Sequence, residues 1–174
     1  MGKTLTVGAP EPLTDLHDCA DFMCGREMLD TWLKQRALRN QASGASRTFV
    51  VCEGRRVVAF YALASSAVAS ELATGRLRRN MPDPIPVVVL ARLAVGRPYH
   101  GLGLGRALMQ DAGRRVLGAA DSIGIRGLLV HAIDESAKAF YQRLGFDLSP
   151  LDPMTLMITL GDLRASLTDP TSPA

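Results

Sequence analysis

The sequence predicts a mixed α/β domain in which one sheet is flanked by helices. Early in the chain, two runs rich in β-branched and aromatic residues meet at Glu53-Gly54, a pattern that indicates an antiparallel hairpin. Later, apolar runs typical of buried strands alternate with amphipathic segments typical of helices. This order of elements favours a mixed sheet over a helical bundle or a β-sandwich.

The first half of the chain contains one clear helical pattern and one clear hairpin. Apolar residues at helical spacing predict a helix over residues 30–41, and the two strands of the hairpin occupy residues 47–66. A short helix is predicted near residues 70–77. The three prolines of MPDPIP, residues 81–86, predict a segment without regular structure.

The second half alternates between strands and helices. The nearly unbroken apolar run of residues 86–95 is typical of a strand buried on both faces. Asp134 is suited to cap the start of a helix, and Gly145 is suited to end it. The predicted elements are a helix from Gly103 onward, a buried strand over 127–133, the capped helix, and short strands over 146–148 and 154–160.

Length and composition predict one domain over residues 1–167, followed by a flexible tail over residues 168–174. No apolar run approaches the roughly 20 residues of a membrane span, and the N-terminus lacks the apolar core of a secretory signal, so we expect a cytoplasmic location. The cysteines lack C-x-x-C spacing and the histidines are scattered. We therefore expect reduced thiols and no metal site.

Three glycines at alternate positions, Gly101, Gly103 and Gly105, separate the strand over 86–95 from the next helix. Backbone N–H groups without neighbouring side chains approach oxygen closely, and the helix N-terminus adds partial positive charge. A tight turn alone explains one glycine, but three between Arg97 and Arg106 favour phosphate binding. Neither the G-x-G-x-x-G pattern of dinucleotide folds nor the G-K-[S/T] of a P-loop fits.

The spacing that matches is [Q/R]-x-x-G-x-[G/A], which reads HGLGLG here. It resembles the pyrophosphate-binding turn of the GNAT superfamily of N-acetyltransferases, and FYQRLGF, some 35 residues later, resembles the end of that superfamily's late helix. Within the superfamily, the chain is most similar to the tRNA-acetylating toxins that are paired with ribbon-helix-helix antitoxins. The matching pieces are FMCGREMLDTWL, SRTFVV, FYALA, LARLAV, GLGLGRALMQDA and AFYQRLGF.

The resemblance implies the GNAT fold, a mixed and mostly antiparallel sheet that splays between its fourth and fifth strands. It also implies acetyl-coenzyme A as the cosubstrate, with pantetheine along Leu93, Ala94 and Val95. The pyrophosphate would be held by the turn residues His100, Gly101, Leu102, Gly103, Leu104, Gly105 and Arg106. The superfamily's motif prefers Gln or Arg at the position of His100. Phosphate binding by backbone amides does not depend on that side chain.

Tyr141 matches the late-helix tyrosine that donates a proton to the departing thiolate. Many GNAT relatives carry a glutamate base on the fourth strand, yet residues 87–95 contain no carboxylate. Making a lysine neutral at pH 7 costs about 4.6 kcal/mol, whereas an α-amine costs about 1 kcal/mol. The missing base therefore favours an α-amine, and the ester of aminoacyl-tRNA lowers that pKa further. Glu135, His131 or an ordered water are alternative bases, although a histidine on a buried strand more often only packs.

Arginine makes up most of the 20 basic residues, and two clusters contain no acid. Guanidinium groups bind phosphate bidentately, which favours an RNA partner over a merely solvated face. The hypothesised RNA-phosphate contacts are Lys34, Arg36, Arg39, Arg47, Arg76, Arg78 and Arg79.

These observations favour an acetyl-coenzyme A-dependent toxin that acetylates the α-amine of aminoacyl-tRNA and blocks translation. The resemblance further implies a homodimer and a ribbon-helix-helix antitoxin as partners. An N-acetyltransferase acting on a small-molecule amine or a protein N-terminus remains the alternative enzyme. A non-catalytic acetyl-coenzyme A sensor or repressor subunit is the alternative from another class.

Overall fold

The computed structural model describes residues 6–168 as seven strands and six α-helices. The strands are β1 (Glu11–Pro12), β2 (Arg47–Glu53), β3 (Arg56–Val68), β4 (Ile85–Val95), β5 (Gly127–His131), β6 (Asp147–Leu148) and β7 (Thr155–Thr159). The helices are α1 (Glu27–Gln35), α2 (Ala37–Ser43), α3 (Gly75–Arg78), α4 (Leu104–Ala119), α5 (Glu135–Arg143) and α6 (Leu160–Thr168). Single 3-10 turns lie at Ser70–Leu72 and Arg97–Tyr99.

The strands form a mixed sheet in the order β1-β2-β3-β4-β5-β7-β6. The pairs β1/β2, β2/β3, β5/β7 and β6/β7 are antiparallel, and β4/β5 is parallel. The predicted hairpin is confirmed, with Gly54 at a φ of +66° in its turn. The mixed, mostly antiparallel fold class is therefore confirmed.

The parallel pair β4/β5 is short. Its register runs from Val87 opposite Gly127 to Leu90 opposite Val130. Beyond that point β4 continues for five more residues, to Val95, while β5 continues only to His131. Pairing therefore ends while the fourth strand is still extended, as expected of a sheet that splays there.

The first compact unit comprises Met1–Leu63 and Arg92–Asp111. Its core collects aromatic side chains from the N-terminal segment, α1 and β3. The Phe22 and Phe60 rings meet edge to face at 5.4 Å, and Trp32 stacks on Phe60 at 6.0 Å. The Arg92 guanidinium lies over the Trp32 ring, 5.1 Å from its centroid. Such aromatic contacts stabilise beyond the area they bury.

The second compact unit comprises Ala64–Ala91 and Ala112–Ala174. Its core joins α3 to the strands, with Leu77, Ile85, Leu129 and Met157 all buried in one cluster. Gly127 is required here, because a Cβ would lie 2.6 Å from Leu77 Cδ1 and 2.3 Å from the Ile158 carbonyl oxygen. This tight contact fixes α3 against the start of β5.

Several predicted element boundaries differ from the structure. The single helix predicted over 30–41 is two helices, which are separated at Arg36, where φ is −118° instead of the usual helical value of about −63°. Residues 81–86 are not wholly irregular, since β4 already begins at Ile85, and a proline near the start of a strand is tolerated. The structure also adds α6, for which the sequence gives no prediction.

The caps predicted for the late helix are confirmed. The Ala137 N–H donates to Asp134 Oδ1 at 2.8 Å at the start of α5, and Gly145 follows its end at a φ of +97°. The predicted tail over 168–174 lies outside the described residues apart from Thr168, which ends α6. One domain over residues 1–167 stays a prediction. Among residues 6–168, no helix has both the length and the apolarity that crossing a bilayer demands.

Candidate functional site

The glycine turn lies between the Arg97–Tyr99 turn and the first residue of α4, Leu104. Gly101 has a φ of +76° and Gly103 a φ of +84°, both in the left-handed region that disfavours other residues. A Cβ built on either glycine would meet nothing within 4 Å. Conformation rather than crowding therefore requires these two glycines, and the space beside them is open to a ligand.

The arrangement suits an anion. The first N–H groups of α4 have no acceptor within their own helix, and the partial positive charge of the helix lies at this end. Gly105 lies inside α4 rather than in the turn, so only two of the three alternating glycines are required by their backbone geometry. Exposed main chain at a helix N-terminus is suited to an anion such as a diphosphate, and its binding here stays a prediction.

Side chains from the β2/β3 hairpin hold the approach to the turn. The Tyr99 hydroxyl donates to Glu53 Oε2, and Arg56 Nη2 donates to the same hydroxyl at 3.2 Å. The Gly96 N–H donates to the Val58 carbonyl at 2.7 Å, and a Cβ on Gly96 would lie 3.0 Å from that oxygen. The close approach needs glycine, and it fixes where the chain leaves β4.

The residues expected to bind pantetheine lie at the end of β4, in the same unit as the turn. Ala94 is buried in the core of that unit, whereas Leu93 and Val95 are half-buried. His100 is exposed, and its Nε2 donates to the Val95 carbonyl at 2.6 Å. The imidazole therefore connects the turn to the last residue of β4, a role that the sequence did not predict. Of the other turn residues, Leu102 is exposed, Leu104 is buried and Arg106 is half-buried.

Tyr141 lies on α5 in the second unit and is only 7% exposed. Its ring meets Phe140 at 5.1 Å and Phe146 at 5.5 Å, both edge to face. Burial raises the pKa of the Tyr141 hydroxyl well above its ordinary value, because the phenolate would lose its hydration. The hydroxyl therefore stays protonated in the ordinary pH range of enzymes, a state that suits a proton donor rather than a base.

All seven hypothesised RNA contacts are exposed. In the first unit they follow α1, α2 and the start of β2, at Lys34, Arg36, Arg39 and Arg47. In the second unit they lie on and just after α3, at Arg76, Arg78 and Arg79. Arg76 differs from its neighbours, because Nε and Nη2 donate to the two carboxylate oxygens of Asp162 at 2.9 and 2.6 Å.

Arg126 supports the α3 segment, and the sequence analysis missed it. Its Nε donates to the Leu77 carbonyl and its Nη2 to the Arg76 carbonyl, both at 2.9 Å. Helix carbonyls at a C-terminus lack partners within the helix, so the guanidinium satisfies them. No local signal marks this role, because Arg126 is 49 residues from Leu77 along the chain.

His131 is not the packed histidine that the buried-strand pattern favoured. It is exposed at the end of β5, and its Nδ1 lies 3.0 Å from Thr155 Oγ1. Thr155 Oγ1 in turn donates to Asp152 Oδ2 at 2.7 Å. Glu135, the other side chain considered as a base, is exposed on the first turn of α5, 3.9 Å from Lys138 Nζ.

The only group of three metal-ligating side chains among residues 6–168 is Glu11, His17 and Cys52. The Thr14 N–H donates to His17 Nδ1 at 2.9 Å, so the neutral ring carries its hydrogen on Nε2, which donates to Glu11 at 2.8 Å. Burial raises the pKa of Cys52 to about 11, which disfavours the thiolate that a metal would need. The position of His17 beside Glu11 follows from these two hydrogen bonds.

Comparison with known proteins places these features in a family. The model of the acetyltransferase (GNAT) domain matches residues 44–148, a span that includes the hairpin, the glycine turn and the late helix. The tRNA-acetylating toxin of Mycobacterium tuberculosis (strain ATCC 25618 / H37Rv) is 51% identical over 161 residues, which cover 92% of this chain and 97% of the toxin.

Solved structures give the same result. AtaT complexed with acetyl-methionyl-tRNAfMet superimposes with a TM-score of 0.85 at 29% identity, over 93% of this chain and 99% of AtaT. A tyrosine-to-phenylalanine mutant of AtaT, bound to acetyl-CoA and to the C-terminus of the antitoxin AtaR, has a TM-score of 0.79 at 29% identity, over 94% of this chain and 99% of that one. The family model, the relative and the solved structures thus agree, and the chain belongs to the GNAT acetyltransferase family.

Proposed function

We propose that this chain is the toxin of a toxin–antitoxin pair, an N-acetyltransferase that acetylates the α-amine of aminoacyl-tRNA. The observation that carries the proposal is its 51% identity, over 92% of its length, to a tRNA-acetylating toxin. An acetylated α-amine cannot attack the next peptidyl ester, so each modified tRNA is lost to elongation. Because aminoacyl-tRNA is made and used there, we propose the cytoplasm as its location.

We propose that the glycine turn and the end of β4 bind acetyl-coenzyme A, which supplies the acetyl group as a thioester. A Cβ on Gly101 or Gly103 would meet open space, and in this proposal the backbone amides of the turn hold the pyrophosphate at the N-terminus of α4. The main chain of Leu93, Ala94 and Val95 binds the pantetheine arm. Tyr141, kept neutral by its burial, donates a proton to the sulfur that leaves.

The exposed arginines bind the tRNA backbone in this proposal. Arg78 and Arg79 leave α3 with exposed side chains, whereas Arg76 must first release Asp162. A mutant of the neighbour AtaT has been solved bound to the C-terminus of the antitoxin AtaR, and we propose that a small antitoxin likewise neutralises this chain, which acts as a homodimer.

A labelled acetyl-transfer experiment tests the proposal. Purified protein is incubated with radiolabelled acetyl-coenzyme A and a charged tRNA pool, and mass spectrometry then finds aminoacyl-adenosines that are one acetyl group heavier. The matched control is the same pool after mild alkaline deacylation, which removes the α-amine but leaves every phosphate. Label in free amines or peptide N-termini, with the charged tRNA unmodified, would instead support an N-acetyltransferase of small amines or proteins.

A further inference from the structure

Three polar side chains form a hydrogen-bonded row where β5 ends. His131 Nδ1 lies 3.0 Å from Thr155 Oγ1, which lies 2.7 Å from Asp152 Oδ2. His131 is exposed, whereas Thr155 is only 6% exposed. The row therefore runs from an accessible imidazole through a buried hydroxyl to a carboxylate.

The hydrogens in this row have one consistent arrangement. The Asp152 carboxylate accepts from the Thr155 hydroxyl and from the Met154 N–H, at 2.7 and 3.0 Å, and these bonds hold its pKa below the usual range. The single Thr155 proton is thus directed at Asp152, so Oγ1 accepts from His131 Nδ1–H. A neutral imidazole then carries its lone pair on Nε2.

The row lies at a specific place in the second unit. Pairing between β4 and β5 ends at Leu90 opposite Val130, and His131 is the next residue of β5. Because side chains alternate along a strand, His131 is on the same face as Gly127 and Leu129. That face carries α3, whose Leu77 packs against both positions. The imidazole and the exposed arginines that follow Leu77 therefore share one face of the sheet.

Acetyl transfer to an amine needs a proton acceptor that β4 does not supply. No carboxylate occurs among residues 87–95. Glu135 is exposed on the first turn of α5, where its carboxylate already pairs with Lys138 Nζ at 3.9 Å. Histidine is the side chain that changes charge between about pH 5 and 8, which suits a base in the cell.

We propose that Nε2 of His131 accepts the proton of the attacking α-amine, and that Thr155 and Asp152 are positioning residues that fix the imidazole tautomer. The inference rests on the proposed acetyl transfer to aminoacyl-tRNA. As the amine nitrogen bonds to the acetyl carbon and the carbon–sulfur bond breaks, one proton passes from nitrogen to Nε2. Tyr141 gives one proton to the leaving sulfur. Solvent then takes the proton from the imidazolium and returns one to the phenolate.

A structural role for the same row predicts something different. Asp152 and Thr155 also close the turn before β7, since the Thr155 N–H donates to the Asp152 carbonyl at 3.1 Å. If the row only holds this turn, its variants lower the thermal midpoint but leave kcat unchanged. A change in kcat therefore distinguishes the catalytic role from the structural one, whereas a change in the thermal midpoint does not.

The test compares His131→Ala with the wild-type protein, with and without added imidazole. Proton transfer by a placed side chain contributes about 10²- to 10⁴-fold, so we expect kcat to fall by about 10²-fold while the KM values change by less than about twofold. Free imidazole restores part of the rate, in proportion to its unprotonated form. The matched control is His17→Ala, which removes a histidine bonded to Glu11 and leaves kcat unchanged.

The positioning residues are tested with Thr155→Val and Thr155→Ser. Serine keeps the hydroxyl, so we expect the wild-type rate. Valine removes the hydrogen bond that fixes the tautomer of His131, so we expect kcat to fall by about tenfold. An unchanged kcat in His131→Ala overturns the proposal. So does a fall in kcat that imidazole does not reverse and that Thr155→Val does not share.

Failure of the proposed function is visible separately, because it appears in the wild-type protein before any variant is made. If the wild-type protein leaves charged tRNA unmodified but acetylates another amine, the same variants and the same imidazole rescue are measured with that amine. Retention of the full rate by His131→Ala then overturns the inference for that acceptor too.

Discussion

The glycine turn and Tyr141 serve the same proposed reaction, but the turn acts through its exposed main chain and Tyr141 through one buried side chain. The turn is exposed main chain that depends on two positive φ angles, at Gly101 and Gly103. Tyr141 is a single hydroxyl set among Phe140 and Phe146 and is almost fully buried. A site made of backbone is sensitive to added atoms, whereas a site made of one side chain is sensitive to their loss.

The largest expected effect comes from deleting one oxygen. In Tyr141→Phe we expect kcat to fall by about 10²- to 10⁴-fold, because the proton donor is gone, while the midpoint of thermal unfolding changes little. Single-turnover acetyl transfer and a melting curve measure both. The matched control is Tyr61→Phe, which deletes the hydroxyl that bonds Asp111 and is expected to cost stability but not rate. A sensor without catalysis would show the same phenotype for Tyr141→Phe as for the wild-type protein.

A smaller effect is expected from adding one carbon to the turn. In Gly103→Ala the left-handed φ costs about 1–2 kcal/mol, so the turn relaxes and binding must restore it. We expect the KM for acetyl-coenzyme A to rise about tenfold, which corresponds to about 1.4 kcal/mol, with kcat nearly unchanged. Gly118→Ala, in open space within α4, is the control and should bind normally. Equal binding by both variants would contradict the role of the turn.

Removing two exposed arginines is expected to weaken the salt dependence of tRNA binding. In the double variant Arg78→Gln and Arg79→Gln, the slope of log affinity for charged tRNA against log salt should decrease in magnitude by about 1.4, about 0.7 for each lost phosphate. Arg76→Gln should change the slope less, because Asp162 already occupies its guanidinium. Filter binding over a potassium chloride series measures these slopes, and identical slopes for all variants would remove these arginines from the interface.

The smallest effect is an expected absence of change at alkaline pH. The neutral Tyr141 hydroxyl is the working form, and burial raises its pKa, so the working form persists to higher pH than for an exposed tyrosine. We therefore expect kcat to show no alkaline fall below about pH 10, the ordinary titration of tyrosine. A rate profile measured with a non-titrating buffer series decides this. An alkaline fall that disappears in Tyr141→Phe would show that the hydroxyl ionises.

Features with local signals were predicted from the sequence. Gly101 and Gly103 are required by φ, and Asp134 and Gly145 cap α5 through neighbours three or fewer residues away, so spacing alone identified them. The break at Arg36 was missed, since apolar spacing continues across it and only the packing of two helices reveals it.

The environment of His131 was also beyond the sequence. Its partner Thr155 is 24 residues away, and the apolar run before His131 is the same whether the last side chain is packed or exposed. The support that Arg126 gives to α3 is hidden for the same reason. Contacts between single polar side chains that are far apart in sequence produce no periodic pattern from which they could be predicted.

The bonds from Arg126 to the carbonyls of Leu77 and Arg76 have a consequence for affinity. Fixing the backbone of a free loop costs about 1–2 kcal/mol for each residue, and a flexible segment would incur that cost on meeting RNA. In the proposed complex with tRNA, the segment is already ordered when Arg78 and Arg79 reach a phosphate. Arg126 then strengthens the proposed binding entropically, because it fixes the backbone that carries those two arginines.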